Sequence, residues 1–162
     1  MMLRKIFYLG MAAAVSTLLL GPGFASSPGG QGEKDSGIQW YSFKEGVEKI
    51  KKSDKKGYLH FYTDWCGYCR KMEKETFSDK DVISSLNKDF VSIKINGEEQ
   101  PGIAGKFGVN RYPFNWFVDK KNEHIGNQPG FIPPEMMVHI LKYMSTNDYK
   151  TMGFDEFMEN RE

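Results

Sequence analysis

Cys66 and Cys69 are the only cysteines of the 162-residue chain, and two residues separate them. At that spacing a pair can close a disulfide, hold half of a metal site, or anchor a haem. A disulfide across so short a loop removes little entropy from the unfolded chain, so stapling alone explains it poorly. Zinc would need further ligands at knuckle spacing. The three histidines, His60, His124 and His139, do not provide it, and there is no second C-x-x-C. Covalent haem needs His directly after the second cysteine, where Arg70 stands. Redox exchange remains. A thiolate attacks a disulfide sulfur, a mixed disulfide forms, and the second thiol resolves it. No metal and no separate cofactor is expected; the redox group is the Cys66–Cys69 disulfide.

Such a pair needs elements that make one thiol reactive. Gly57 opens a strand over Tyr58 to Tyr62, which leads through Thr63-Asp64-Trp65 into the cysteines. From Cys66 to about Phe77 the pattern is helical, with Arg70, Lys71, Glu73 and Lys74 expected in solvent. Cys66 then sits at a helix N-terminus, where free N–H groups and the macrodipole favour a thiolate. Its pKa should fall below the ~8.5 of a free thiol, which makes it the nucleophile. Cys69, one turn on and less exposed, is the resolving thiol.

Around this unit the periodicity predicts a helix over Trp40 to Ile50, followed by a solvated lysine run at 51–56. A short helix covers Asp81 to Asn87, with Ser78 or Asp79 as its N-cap. Phe90 to Ile95 reads as a strand, Gln100 to Phe107 as a helix opened by Pro101, and Phe114 to Val118 as a strand. His124 to Gln128 pairs back across the turn at 119–122. A closing helix starts at Pro133-Pro134-Glu135 and carries Met136, Met137, Ile140, Leu141 and Met144. Phe154 to Met158 adds a last helical turn. Strand–helix–strand order implies parallel pairing, and the late tight turn implies an antiparallel hairpin. The expectation is an α/β domain, a small mixed β-sheet flanked by helices.

The first 25 residues differ from the rest. Arg4 and Lys5 precede an uncharged apolar run, Ile6 to Leu20, which Gly21-Pro22-Gly23 breaks before Ala25. This is the layout of a cleaved signal peptide, 1–25, followed by a Gly/Ser-rich linker at 26–37 and the domain at 38–162. The alternative is an uncleaved membrane anchor, for which the run is short of the ~20 residues that span a bilayer. The chain carries 22 basic and 21 acidic side chains, so a formal charge of +1 offers no basic excess for nucleic acid. A hydrophobic share of 40% with 27% charged residues suits a globular domain.

The segment Tyr62-Thr63-Asp64-Trp65-Cys66-Gly67-Tyr68-Cys69-Arg70-Lys71-Met72-Glu73 resembles the active-site stretch of thioredoxin-like proteins. With Glu75-Thr76-Phe77-Ser78-Asp79 and Val82, it is especially similar to the C-terminal periplasmic domain of the transmembrane thiol reductant conductor and also resembles small exported thioredoxins. The resemblance runs from about Tyr58 to Met144 and implies the thioredoxin fold. It further implies that Pro113 is the family's cis proline beside the disulfide, with the Tyr112 backbone meeting the substrate polypeptide. Gly130 matches the glycine that opens room beside the site. Trp65 and Tyr68 would form an apolar rim around Cys66, while Trp40, Phe114, Trp116 and Phe117 are expected in packing.

Two positions depart from the family. His60 stands where thioredoxins carry a buried Asp; it is a possible proton acceptor for Cys69, or simply a half-buried strand residue. Lys94, which often accompanies that acid, then reads as a solvated strand lysine. Between the cysteines, Gly67-Tyr68 looks like the dipeptide of periplasmic disulfide isomerases. The implied protein is a monomeric, periplasmic thiol–disulfide oxidoreductase. It would reduce cysteine-containing exported proteins and draw electrons from a membrane thiol donor. The alternatives are an oxidant or isomerase of the same fold, or a non-catalytic partner-binding module.

Overall fold

The computed structural model describes residues 37–160. The signal at 1–25 and all of the linker except Gly37 lie outside the described residues. Five strands form one mixed sheet: β1 (Trp40–Tyr41), β2 (Lys56–Tyr62), β3 (Phe90–Asn96), β4 (Phe114–Val118) and β5 (His124–Pro129). Their spatial order is β1-β3-β2-β4-β5. β3 runs parallel to both β1 and β2, while β4 is antiparallel to β2 and to β5. Among the described residues six α-helices accompany the sheet: α1 (Phe43–Lys51), α2 (Gly67–Glu75), α3 (Lys80–Asp89), α4 (Pro101–Lys106), α5 (Pro134–Thr146) and α6 (Phe154–Glu159). None of the described helices is long and apolar enough to cross a membrane.

Alternation along the strands sends neighbouring side chains to opposite faces. On β2, Leu59 and Phe61 join Ile50 of α1 and Ala104 of α4 in one core layer. Tyr58 joins the other, with Met72 of α2, Leu86 of α3, Met137 of α5 and Phe157 of α6. Helix α2 therefore lies on the face to which His60 also points.

The sequence expectation fails at the N-terminal end of the domain. Trp40 and Tyr41 do not begin a helix; they pair with Ser92 and Ile93 as an edge strand. Ser42 is the reason. Its hydroxyl caps the Glu45 N–H while the Glu45 carboxylate returns to the Ser42 N–H, a capping box that starts the helix at Phe43. Elsewhere the elements fall within a few residues of expectation. Asp79 caps α3 by accepting from the N–H groups of Asp81 and Val82, both at 3.0 Å. In the β4–β5 turn, Asp119 Oδ1 accepts from the N–H groups of Lys121 and Glu123.

Candidate active site

Cys66 is the N-cap of α2, placed by the turn that leaves β2. Its Sγ accepts from the Cys69 N–H at 3.1 Å and is joined to Cys69 Sγ in a disulfide with a Cα–Cα distance of 5.2 Å. Both residues are buried, at 5% and 3% exposure, so position rather than exposure separates them. Cys66 lies at the positive end of the helix dipole, where a thiolate is favoured. Cys69 lies inside the first turn.

The rim is built from three segments. Trp65 and Tyr68 are each 65% exposed, which is unusual for large aromatic residues and leaves both available to a partner. The Tyr112–Pro113 peptide is cis, as the resemblance implied. The Tyr112 ring meets the Trp65 ring edge-on at 6.3 Å, which brings this peptide alongside the cysteine motif. Gly130 adopts φ +90, a left-handed conformation that favours glycine, and its N–H donates to Pro113 O at 2.8 Å.

Glu98 and Gly97, which no motif singles out, complete the rim. Trp65 Nε1 donates to Glu98 Oε1 at 2.8 Å, which fixes the exposed indole. Gly97 lies against the Tyr112 phenol so closely that a Cβ there would collide with it. A glycine immediately after a strand was the available signal. Arg70 Nη1 donates to Asp64 O at 2.8 Å, tying the helix start to the preceding turn.

Beneath α2 is a polar cluster. His60 is fully buried, not half-buried. Asn115 Nδ2 donates to Gln128 O and Gly130 O, at 3.0 and 3.2 Å. Asn115 Oδ1 therefore faces inward and accepts from Tyr58 OH at 2.7 Å and from His60 Nδ1 at 3.0 Å. With the amide so oriented, His60 carries its proton on Nδ1. Its Nε2 has no hydrogen-bond partner among the described residues. Burial pushes the His60 pKa down to about 4, against a smaller opposing effect of the Asn115 bond.

Two expectations are corrected here. Glu73 is not in solvent, and Lys94 is not a solvated strand lysine. Their side chains are 30% and 10% exposed and form an ion pair at 2.9 Å. Lys94 is the register partner of His60 across β2–β3, which directs it to the same face under α2. Its ammonium also lies 4.9 Å from the Tyr62 ring centroid. Burial raises the Glu73 pKa to about 7 and lowers that of Lys94 to about 8. Desolvation of each partner thus outweighs their attraction. His124 stacks near Phe107 and Trp116, remote in sequence from the cysteines, and His139 lies on α5. No group of three or more His, Cys, Asp or Glu among the described residues could hold a metal ion.

The model of a thioredoxin-like domain matches residues 43–145. Human spermatogenesis-associated protein 20 is 33% identical over 108 residues, covering 60% of this chain but only 14% of that protein's length. The solution structure of a thioredoxin from Thermus thermophilus superposes with a TM-score of 0.61 at 23% identity, covering 67% of this chain and 87% of its own. That of a putative disulphide-isomerase from Bacteroides thetaiotaomicron gives a TM-score of 0.56 at 28% identity, covering 72% and 94%.

Proposed function

The chain belongs to the thioredoxin-like family and has its fold, and from that premise we propose that it is an exported thiol–disulfide oxidoreductase that reduces disulfides in cysteine-containing polypeptides. The observation that carries the proposal is the placement of Cys66 as the cap of α2, beside an exposed aromatic rim and the cis Tyr112–Pro113 peptide.

In the reduced protein, the Cys66 thiolate attacks one sulfur of the substrate disulfide and expels the other as a thiolate. Cys69 then loses its proton and attacks Cys66 Sγ, which releases the second substrate thiolate and closes the Cys66–Cys69 disulfide. Two electrons pass from the dithiol to the substrate. A thiol donor, which the resemblance would put in the membrane, must return them. Two groups on the α2 face, the buried His60 and the half-buried Glu73, are candidates to accept the Cys69 proton. His60 Nε2 offers a free lone pair, but a pKa of about 4 makes it a weak base near neutrality. Glu73 follows Cys69 by one helical turn, and its pKa of about 7 is better matched.

Export rests on the apolar segment after Arg4 and Lys5, and a periplasmic location follows from it together with the family resemblance. The Gly67-Tyr68 pair supports an oxidant or isomerase as the second reading, since the exchange steps run in either direction. Turnover is tested by reduction of insulin with dithiothreitol as donor. The unmodified chain should accelerate it, Cys66→Ser should abolish it, and Cys69→Ser should accumulate a mixed disulfide. A Cys66 thiol that alkylates no faster than a free thiol at pH 6 would leave a binding module instead. The reduction potential decides the direction: a value near those of thioredoxins, about −270 mV, supports the reductant, and one near −120 mV the oxidant.

A further inference from the structure

Away from the reactive face, a pocket of about 330 Å³ opens between β1, the C-terminal end of α1 and the start of β3. Tyr41, Phe90 and Val91 give it an apolar side, and Lys49, Lys52 and Lys55 a cationic one; none of its lining residues is acidic. Phe90 and Val91 pair with Lys56 and Gly57 at the start of β2, whereas Cys66 follows the other end of that strand. The seven residues of β2, roughly 20 Å of strand, separate the pocket from the cysteines.

Much of the polar lining is already satisfied within the protein. Lys55 Nζ donates to Asn87 O at 2.7 Å, in the last turn of α3, where a cation complements the helix end. Asn87 Oδ1 accepts from the Gln39 N–H at 2.9 Å, and its Nδ2 donates to Gly37 O at 2.7 Å. Ser53 Oγ accepts from the Lys55 N–H. Two cations and a phenol are left without an acceptor. The Lys49 ammonium lies 4.8 Å from the Tyr41 ring centroid, and neither it nor that of Lys52 has a carboxylate or carbonyl partner among the described residues. The Tyr41 hydroxyl is buried, also without a hydrogen-bond partner among them. The acids of α1 are engaged elsewhere: Glu45 returns to Ser42, and Glu48 meets Lys51 at 3.2 Å, outside the lining.

Two positive charges and three donors describe the missing partner. A phosphate monoester carries nearly two negative charges at neutral pH and three acceptor oxygens, whereas a carboxylate or a phosphodiester brings a single charge. The cavity is larger than a phosphate needs, and its apolar side leaves the remaining space to the organic group of the ester.

We propose that this pocket is a ligand site for a phosphate monoester, whose oxygens meet Lys49, Lys52 and the Tyr41 hydroxyl. The ligand sits a strand's length from Cys66 and takes no part in the exchange, so the site stands independently of the redox reading. A soluble ester and the headgroup of phosphatidic acid present the same group.

Phenyl phosphate and benzoate share a ring and differ in the anion, so calorimetric titration of the whole chain with each isolates the phosphate. Phenyl phosphate should bind about tenfold more tightly. Lys49→Ala/Lys52→Ala should weaken it about thirtyfold, and Tyr41→Phe, which alters no charge, about fivefold. Lys51→Ala, at the same helix end but outside the lining, should leave it unchanged. A circular dichroism spectrum like that of the unmodified chain reports that each variant is folded. Vesicles of phosphatidylcholine with about a tenth of phosphatidic acid form the second arm, offered to the chain 26–162, which keeps both cores whole. Capture that phenyl phosphate reverses and Lys49→Ala/Lys52→Ala abolishes assigns the lipid headgroup. Tight binding of phenyl phosphate without capture assigns a soluble ester. Equal affinity for phenyl phosphate and benzoate overturns the site. So does a loss in Lys51→Ala as large as in Lys49→Ala/Lys52→Ala, because diffuse charge would then account for the binding.

Discussion

The Glu73 carboxylate and the Lys94 ammonium meet at 2.9 Å, and burial drives both toward their neutral forms. Glu73 follows Cys69 by four residues on α2, so the two side chains lie on one face, a turn apart. The resolving thiol thus has a carboxylate neighbour that changes charge at about pH 7.

Glu73→Gln should slow release of the mixed disulfide roughly a hundredfold at pH 7, at the low end of general-base effects. In the unmodified chain this step should rise with pH through about 7, because only the carboxylate accepts a proton. The variant should lose that rise. Stopped-flow measurement of the single-turnover release rate from about pH 5.5 to about 8.5 checks both; an unchanged profile in Glu73→Gln would exclude the carboxylate.

His60 supplies a prediction about stability. Its folded pKa of about 4 lies below the ordinary 6.5, so the unfolded chain binds more protons between those values. The stability tied to neutral His60 is complete above pH 6.5 and is lost as pH falls toward 4. The shift corresponds to about 3 kcal/mol. Urea titrations at pH 7 and pH 4 should show a loss of that order beyond the one seen in His60→Leu. Equal pH dependence in the two chains would sink the assignment.

The parts of the site readable from sequence were local or carried by motif. The cysteine spacing, the strand-to-helix passage and the Tyr112-Pro113 pair all lie in short segments. Trp40 and Tyr41 misled because a two-residue strand is too short to show alternation, and their apolar side chains extend the helical period of Phe43, Val47 and Ile50. Glu73 and Lys94 misled because each is polar, and polar side chains are usually in solvent. Their burial depends on the β2–β3 register, which joins residues far apart in the chain. Asn115 gives no signal inside an apolar strand, because its partners come from β2 and from the return through β5.

The exposed rim predicts a separation between large and small substrates. Trp65→Ala removes an indole that a polypeptide would cover, so kcat/KM for insulin should fall about tenfold, equivalent to about 1.4 kcal/mol. A small aromatic disulfide should react nearly as before. Glu98→Ala leaves the indole in place without its 2.8 Å bond and should produce a smaller loss, while Glu98→Gln keeps an acceptor and should restore most of the rate. Parallel losses for both substrates would mean that Trp65 supports the cysteines themselves rather than the polypeptide.

Asn115 joins the buried His60 to the carbonyls beside Gly130, so its two amide ends can be tested separately. Asn115→Ala strands the Tyr58 hydroxyl and the His60 Nδ1–H together with two backbone carbonyls. Unsatisfied buried groups of this kind cost about 1–3 kcal/mol each, so the variant should lose at least about 3 kcal/mol of stability. Asn115→Asp keeps an acceptor for Tyr58 and His60 and removes the donor to the carbonyls. Its negative oxygen beside Nδ1 favours the imidazolium, so the His60 pKa should rise from about 4. The part of the acid instability that comes from His60 should shrink with it, since the folded and unfolded values then lie closer together. NMR titration of the His60 ring in the unmodified chain and in Asn115→Asp reads this directly. A His60 pKa that stays near 4 in the Asn115→Asp chain would show that burial alone fixes the ring and that the amide only fills space.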